Sequence, residues 1–181
     1  MARYIALLRG INVGGHKKIA MSDLRELMAH MGFEDPQSIL QSGNLLFRSK
    51  AQQTGKLEQL LEAGIRKRLS LETHVFVRSA QEWQSVIAHN PLPEEAQHDP
   101  GHFVVMFFKS APEPGNVKAL QSAIAGSEVI RADGRQAYIT YPDGQGRSRL
   151  TNALIESRLG TKGTARNWNT VLKLAAITSE K

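Results

Sequence analysis

Ser38-Ile39-Leu40-Gln41-Ser42-Gly43-Asn44-Leu45-Leu46-Phe47 is the stretch that decides the fold. Ser38 to Gln41 and Asn44 to Phe47 read as two short strands, and Gly43 between them turns the backbone at no steric cost. On the N-terminal side Met21, Leu24, Met28 and Met31, with Leu27 beside them, recur at helical spacing until Gly32 supplies a stop. On the C-terminal side Leu57, Leu61, Ile65 and Leu69 predict a second helix that runs to Ser70, with Thr54 as its cap. Tyr4 to Leu8 and Thr73 to Arg78 read as the outer strands. The order strand, helix, strand, strand, helix, strand is the split βαβ arrangement of a ferredoxin-like fold.

A second round follows. Ser79 and Glu82 form a capping box ahead of Trp83, Val86 and Ile87, which predicts a connecting helix stopped by Asn90-Pro91-Leu92-Pro93. Glu94 to Gly101, polar and carrying Pro100, reads as a linker. His102 to Phe108 is nearly continuous apolar sequence, as in a strand buried on both faces. A helix is expected over Asn116 to Ile124. Glu128 to Ile130 and Gln136 to Tyr141 then flank the hairpin signal Asp133-Gly134. Leu150 to Leu159 reads as a helix ended by Gly160, and a last helix is expected over Ala165 to Ile177. Its apolar side is Trp168, Val171, Leu172 and Ala175, and its polar side Arg166, Asn169, Thr170 and Lys173.

The fold class expected is therefore α+β: two ferredoxin-like βαββαβ-type halves with antiparallel sheets, joined by a helix and a proline-containing linker, plus a C-terminal helix. The halves are expected at 1–93 and 94–181, and the second lacks its final strand in this reading. The shared order points to a duplication at the level of topology.

Composition narrows the chemistry. The 181 residues include no cysteine, which excludes a disulfide framework, a thiolate zinc site and a cysteine nucleophile. Lys and Arg number 23 against 17 Asp and Glu, a net +6 that favours anionic partners, although the charge is scattered rather than gathered into a tract. The apolar run at the N-terminus is too short for a signal peptide, and no apolar stretch approaches the roughly 20 residues that span a bilayer. A cytoplasmic protein with no membrane partner is expected.

Leu8-Arg9-Gly10-Ile11-Asn12-Val13-Gly14-Gly15, Leu40-Gln41-Ser42-Gly43-Asn44, Leu150-Thr151-Asn152-Ala153-Leu154-Ile155-Glu156 and Thr164-Ala165-Arg166-Asn167-Trp168-Asn169-Thr170-Val171 together resemble a bacterial family known as DUF1697. The resemblance runs essentially from end to end. It implies a cytoplasmic protein with two ferredoxin-like domains, and it implies no reaction, ligand or catalytic residue.

Candidate ligand contacts come from the residues themselves. The loop from Arg9 to Lys18 lies between a strand and a helix, where backbone amides can cradle an anion. Gly10 and Gly15 have Walker spacing, but His16 stands where the lysine belongs and Lys17 where the hydroxyl belongs, so magnesium-nucleotide binding loses its usual ligands. A looser anion site built on Arg9, Asn12, Gly14, Gly15, His16 and Lys17 remains, against the alternative that the glycines only let the chain turn. Gln41, Ser42 and Asn44 are polar residues at a strand turn. Arg166, Asn167, Asn169 and Thr170 crowd side-chain donors near a predicted helix start, where Thr164 alone would cap it; tying the last helix to the fold through buried hydrogen bonds is the alternative. These residues converge, in this reading, on a cleft between the halves.

Other chemistry finds little support. His98-Asp99-Pro100-Gly101-His102 puts its two histidines across a proline and a glycine, unlike zincin ligands on one helical face, so no metal site is expected. No serine sits in a nucleophile elbow, and Glu94 and Glu95 fall in the predicted linker. Tyr138 and Tyr141 are candidate base-stacking rings, with packing in a sheet face as the alternative. The reading is thus a protein that binds an anionic ligand, a nucleic acid or a phosphorylated small molecule, without a resident cofactor. An enzyme acting on a phosphorylated or carboxylated metabolite and a partner-binding module are the alternatives, and the sequence bears neither on catalysis nor on oligomeric state.

Overall fold

The computed structural model describes residues 1–11, 18–40 and 42–180. The chain divides into two compact units, Met1–Gln84 with Leu174–Lys181, and Ser85–Lys173. Each contains a four-stranded antiparallel sheet, so the two ferredoxin-like halves are present.

In the first unit β1 (Ala2–Leu8), α1 (Met21–His30), β2 (Glu34–Ile39), β3 (Asn44–Ser49), α2 (Thr54–Leu69) and β4 (Val75–Ser79) give the sheet order β2-β3-β1-β4. Alternation along the strands puts Tyr4, Ala6, Leu8, Leu45, Phe47, Val75 and Val77 on one face, packed against Met21, Leu24, Leu27 and Met28 of α1 and Leu57, Leu61 and Ile65 of α2. Tyr4 stacks on Phe47 with ring centroids 5.5 Å apart. Strand β2 starts four residues before the expected Ser38. It is an edge strand, and its register slips between Glu34 and Gln37, so the bulge absorbs Pro36 without breaking the ladder.

Gly43 does two jobs at the β2–β3 turn. Its φ is +78°, and a Cβ there would stand 2.8 Å from Ile11 Cγ1 and 3.0 Å from Leu8 Cβ. Its carbonyl accepts from the Leu8 amide at 2.9 Å. The turn therefore grips the chain as it leaves β1.

The outer edge of β4 is closed by side chains. Val75 N donates to Glu62 Oε1 and Val77 N to Glu58 Oε1, each at 2.9 Å, from two glutamates one turn apart on α2. An edge whose amides are already taken offers no template to another strand. The capping box forms as expected: Ser79 N donates to Glu82 Oε2 at 2.8 Å and Glu82 N to Ser79 Oγ at 3.1 Å, opening α3 (Ala80–Ala88).

The second unit departs from expectation at two places. Residues 94–101 are not an irregular linker, since α4 (Pro93–His98) occupies most of them. Pro93 sits at the first helical turn where its missing N–H costs nothing, Glu94 and Glu95 suit the positive helix start, and Ala96 is buried. The final strand is also present. After β5 (Phe103–Phe108), α5 (Pro114–Ala123), β6 (Val129–Asp133), β7 (Gln136–Thr140) and α6 (Asn152–Leu159), residues Gly163–Asn167 form β8, and only then does α7 (Trp168–Ser179) begin. Arg166 and Asn167 are thus strand residues. The sheet order β6-β7-β5-β8 repeats that of the first unit.

The hairpin signal holds: Asp133 pairs with Gln136 around a two-residue turn in which Gly134 has φ +59°. On α7 the buried residues are Trp168, Val171, Leu174, Ala175 and Thr178, while Leu172, expected inside, is 41% exposed. The units divide the chain between Gln84 and Ser85 and again between Lys173 and Leu174. Val86 of α3 accepts at its carbonyl from Tyr138 Oη at 2.6 Å inside the second unit. Arg3 Nη1 donates to the carbonyls of Thr178 at 2.9 Å and Glu180 at 2.7 Å, which returns the chain's end to the first.

Gly43→Ala is expected to lower unfolding free energy by about 2 kcal/mol, from strain at positive φ and the crowding of Ile11. Gly55→Ala on α2, where a Cβ meets nothing within 4 Å, is expected to raise it by about 0.5 kcal/mol. Urea denaturation of the two variants checks both signs.

Candidate functional site

The end of the first sheet at which β1 finishes carries Arg9, with Ser42 and Asn44 at the adjoining β2–β3 turn. Arg9 N donates to His74 O at 3.0 Å and Thr73 Oγ1 donates to Arg9 O at 2.9 Å, so the backbone of Arg9 is pinned to the segment leading into β4. Antiparallel pairing of β1 with β4 causes this, because the finish of one strand must meet the start of the other. A cavity of about 610 Å³ opens here, lined by Arg9, Gly10, Glu62, Arg66, Glu72, Thr73 and His74. Glu62 Oε1 is engaged by the Val75 amide and lies 4.0 Å from His74 Nδ1. Arg9, Arg66 and His74 line the cavity together with the carboxylates Glu62 and Glu72. Arg66, Thr73 and His74 were not singled out from the sequence, though the strand order of a ferredoxin-like half places the start of β4 beside the finish of β1.

Asn12, Gly14, Gly15, His16, Lys17 and Gln41 lie outside the described residues. Ser42 and Asn44 are described and serve the turn: Asn44 Nδ2, wholly buried, donates to Ile39 O at 3.0 Å and to Ser42 Oγ at 3.1 Å. These bonds close the β2–β3 hairpin.

In the second unit Arg166 is buried on β8. Its Nη1 donates to Thr164 Oγ1 at 2.8 Å and to Ala165 O at 2.9 Å. Burial pulls the guanidinium pKa down to about 10, which still leaves it charged at neutral pH. Thr164 does not cap α7. That role falls to Asn167, whose Oδ1 accepts from Asn169 N at 2.9 Å while its Nδ2 donates to Gly101 O at 2.9 Å. Asn169 lines a separate surface cavity with Trp168, Leu172 and Pro100, and Thr170 is half-buried on α7. Arg9 and Arg166 belong to different units.

Register exposes a correspondence between the halves. Arg78 pairs with Ile5 across β4 and β1, and Arg166 pairs with Val105 across β8 and β5. Each arginine is buried, and each donates through Nη1 at 2.9 Å to the carbonyl of the residue before it. At the strand ends, Leu8 N to Gly43 O and Arg9 N to His74 O are matched by Phe108 N to Arg135 O and Lys109 N to Lys162 O.

The remaining candidates resolve into packing and local bonds. Tyr138 and Tyr141 are buried, with Tyr141 Oη donating to Leu150 O at 2.9 Å, so neither ring is displayed for stacking. His102 Nδ1 lies 2.8 Å from Asp99 Oδ2, a pair within one short segment. Among the described residues no group of three or more acidic or histidine side chains is arranged to hold a metal ion, and no helix is long and apolar enough to cross a membrane.

Residues 1–138 match the family model described as a protein of unknown function, DUF1697. The chain belongs to the DUF1697 family. The motifs at Leu150 to Glu156 and Thr164 to Val171 lie beyond the matched stretch. A solved structure, that of a conserved bacterial protein from Streptococcus pneumoniae, is similar over 98% of this chain and 99% of its own, with a TM-score of 0.76 and 22% identity. That likeness extends to the fold. No protein of curated function matches this DUF1697 chain.

Burial, opposed by a hydrogen bond from Gln136 and assisted by Asp133, pushes the Tyr138 phenol from 10.0 up to about 12. A folded-state pKa above the unfolded value means the fold favours the neutral phenol. Its contribution is whole below pH 10 and is lost as pH rises from about 10 toward 12. Tyr141 is raised in the same direction by burial and by Glu128. Urea midpoints measured across this range should fall with pH, and the fall should be shallower in Tyr138→Phe.

Proposed function

We propose that the protein binds a phosphorylated or carboxylated small molecule in the first-unit cavity where β1 ends. The observation that carries this reading is the convergence of Arg9, Arg66 and His74 on one cavity of about 610 Å³. Guanidinium forks bind carboxylate and phosphate oxygens in pairs, and His74 adds a ring nitrogen able to hydrogen-bond the same ligand. The sequence that follows Gly10 includes His16, Lys17 and Lys18. Glu62 and Glu72 line the same cavity. They favour a ligand that also presents a hydroxyl or amine, which a bare anion does not.

The burial of Tyr138 and Tyr141 favours a small molecule over a nucleic acid, because single-stranded recognition on a sheet needs rings open to the bases. Among the described residues the geometry nominates no nucleophile or acid/base pair, and the reading is one of binding.

A thermal-shift screen against inorganic phosphate, sugar phosphates, nucleotides, dicarboxylates and short oligonucleotides tests it, with Arg66→Gln as the variant. A compound present at 100 times its Kd stabilises the fold by about 2.7 kcal/mol. A sugar phosphate or dicarboxylate should raise the midpoint, and Arg66→Gln should weaken its binding about tenfold by removing a charged hydrogen bond. A shift that survives Arg66→Gln unchanged, or no shift with any compound, overturns the proposal.

A further inference from the structure

The second unit has a cavity of its own, about 470 Å³, which shares no residue with the first-unit cavity. It lies between the end of α5 and the residues that lead into α6. Its floor is aliphatic: Leu120 and Leu150 are buried, at 2% and 3% exposure, and Ile124 and Leu154 are partly buried on the same core. Its rim carries Arg147, Arg149 and Arg158. Among the described residues these three guanidinium groups make no hydrogen bond and no ion pair.

Among the described residues the one carboxylate in the same lining, Glu128, makes no ion pair with them and leaves the rim net positive. Glu128 Oε1 accepts from Ser148 Oγ at 2.6 Å, and its Oε2 lies so close to Gly126 that a Cβ there would stand 2.3 Å away. Glu128 is thus held over Gly126 by Ser148. Three like charges around one opening repel one another, and the repulsion is relieved when an anion enters. An apolar floor beneath them gives no partner to a bare ion and is satisfied by hydrocarbon.

We propose that this cavity is a binding site for a single-chain organic anion, a phosphate or carboxylate head held by Arg147, Arg149 and Arg158 with an apolar tail over Leu120, Ile124, Leu150 and Leu154. The head meets forked donors matched to two oxygens at a time. The tail covers the aliphatic floor. Among the described residues no aromatic ring lines the cavity, so a stacked nucleobase has no platform there. The site is independent of the first-unit reading, and either stands if the other falls.

The test is calorimetric titration of the whole chain with decyl phosphate below its micellar range, beside inorganic phosphate and decanol as half-ligands. Decyl phosphate should bind at least about tenfold more tightly than either half, since head and tail act together. Arg149→Gln with Arg158→Gln should weaken it at least about tenfold. Lys67→Gln with Arg68→Gln, which removes the same charge from the exposed end of α2, should leave it unchanged. Leu154→Asn keeps all three arginines and should also weaken it, with circular dichroism checking that each variant folds. The proposal is overturned if decyl phosphate does not bind, if inorganic phosphate binds as well, or if the Arg149 and Arg158 changes have no more effect than the α2 pair. It is equally overturned if only phosphatidylglycerol vesicles or an oligonucleotide bind.

Discussion

One inner strand of each sheet, β1 in the first unit and β5 in the second, is buried on both faces, and this double burial constrains what surrounds it. An ordinary two-layer α+β half needs its helices on one face only. Here Ile5 and Leu7 on β1, and Phe103, Val105 and Phe107 on β5, are buried opposite the faces that receive the helix pairs. Further structure must cover them. In the second unit α7 supplies Trp168, whose ring meets Phe103 edge-on at 5.2 Å, and α3 supplies the Val86 carbonyl for Tyr138. In the first unit the last turns of α7 return, held at their carbonyls by Arg3. Helices that a simple ferredoxin-like count treats as connectors are therefore parts of the cores.

Burying polar groups beside these strands requires partners for each of them. The two arginines on the strands next to β1 and β5 share one kind of bond, each donating to the carbonyl that precedes it. Glu58 meets the further need of β4 by accepting from the Val77 amide while lying 3.6 Å from Arg78 Nη1. On α6 the glutamate at the corresponding helical position, Glu156, is also buried and lies 3.6 Å from Lys162 Nζ through Oε2. Matching registers and matching arginines make the two halves alike in their interactions as well as in the order of their elements.

Periodicity made most elements legible. The spacing of Leu57, Leu61 and Ile65, the unbroken apolar run of β5 and the Asp133-Gly134 turn each state a local preference strong enough to survive packing. Two elements were hidden for a common reason. In α4, proline and acidic residues that read as linker are suited to a first helical turn. In β8, the polar stretch Gly163-Thr164-Ala165-Arg166-Asn167 carries no apolar alternation and becomes a strand only because β5 offers it a ladder. Misplacing β8 also changed how Arg166 and Asn167 read, from donors at a helix start to one buried strand arginine and one helix cap.

Candidate sites divide along the same line. Arg9 and its glycine-rich loop stood out because glycine and charge cluster in consecutive residues. Arg66 and His74 did not, since they are distant in sequence and reach Arg9 only through the antiparallel pairing of β1 with β4. Arg147, Arg149 and Arg158 share a rim only because α5 and α6 pack side by side. What the sequence by itself determined was the order and type of most elements, the duplicated topology and the turns, because these follow from short-range periodicity and backbone preference. What only the tertiary structure decided was which faces are covered, where the last strand lies and which charges meet. Those depend on hydrogen bonds and burial between residues far apart in the chain, and no local pattern records them.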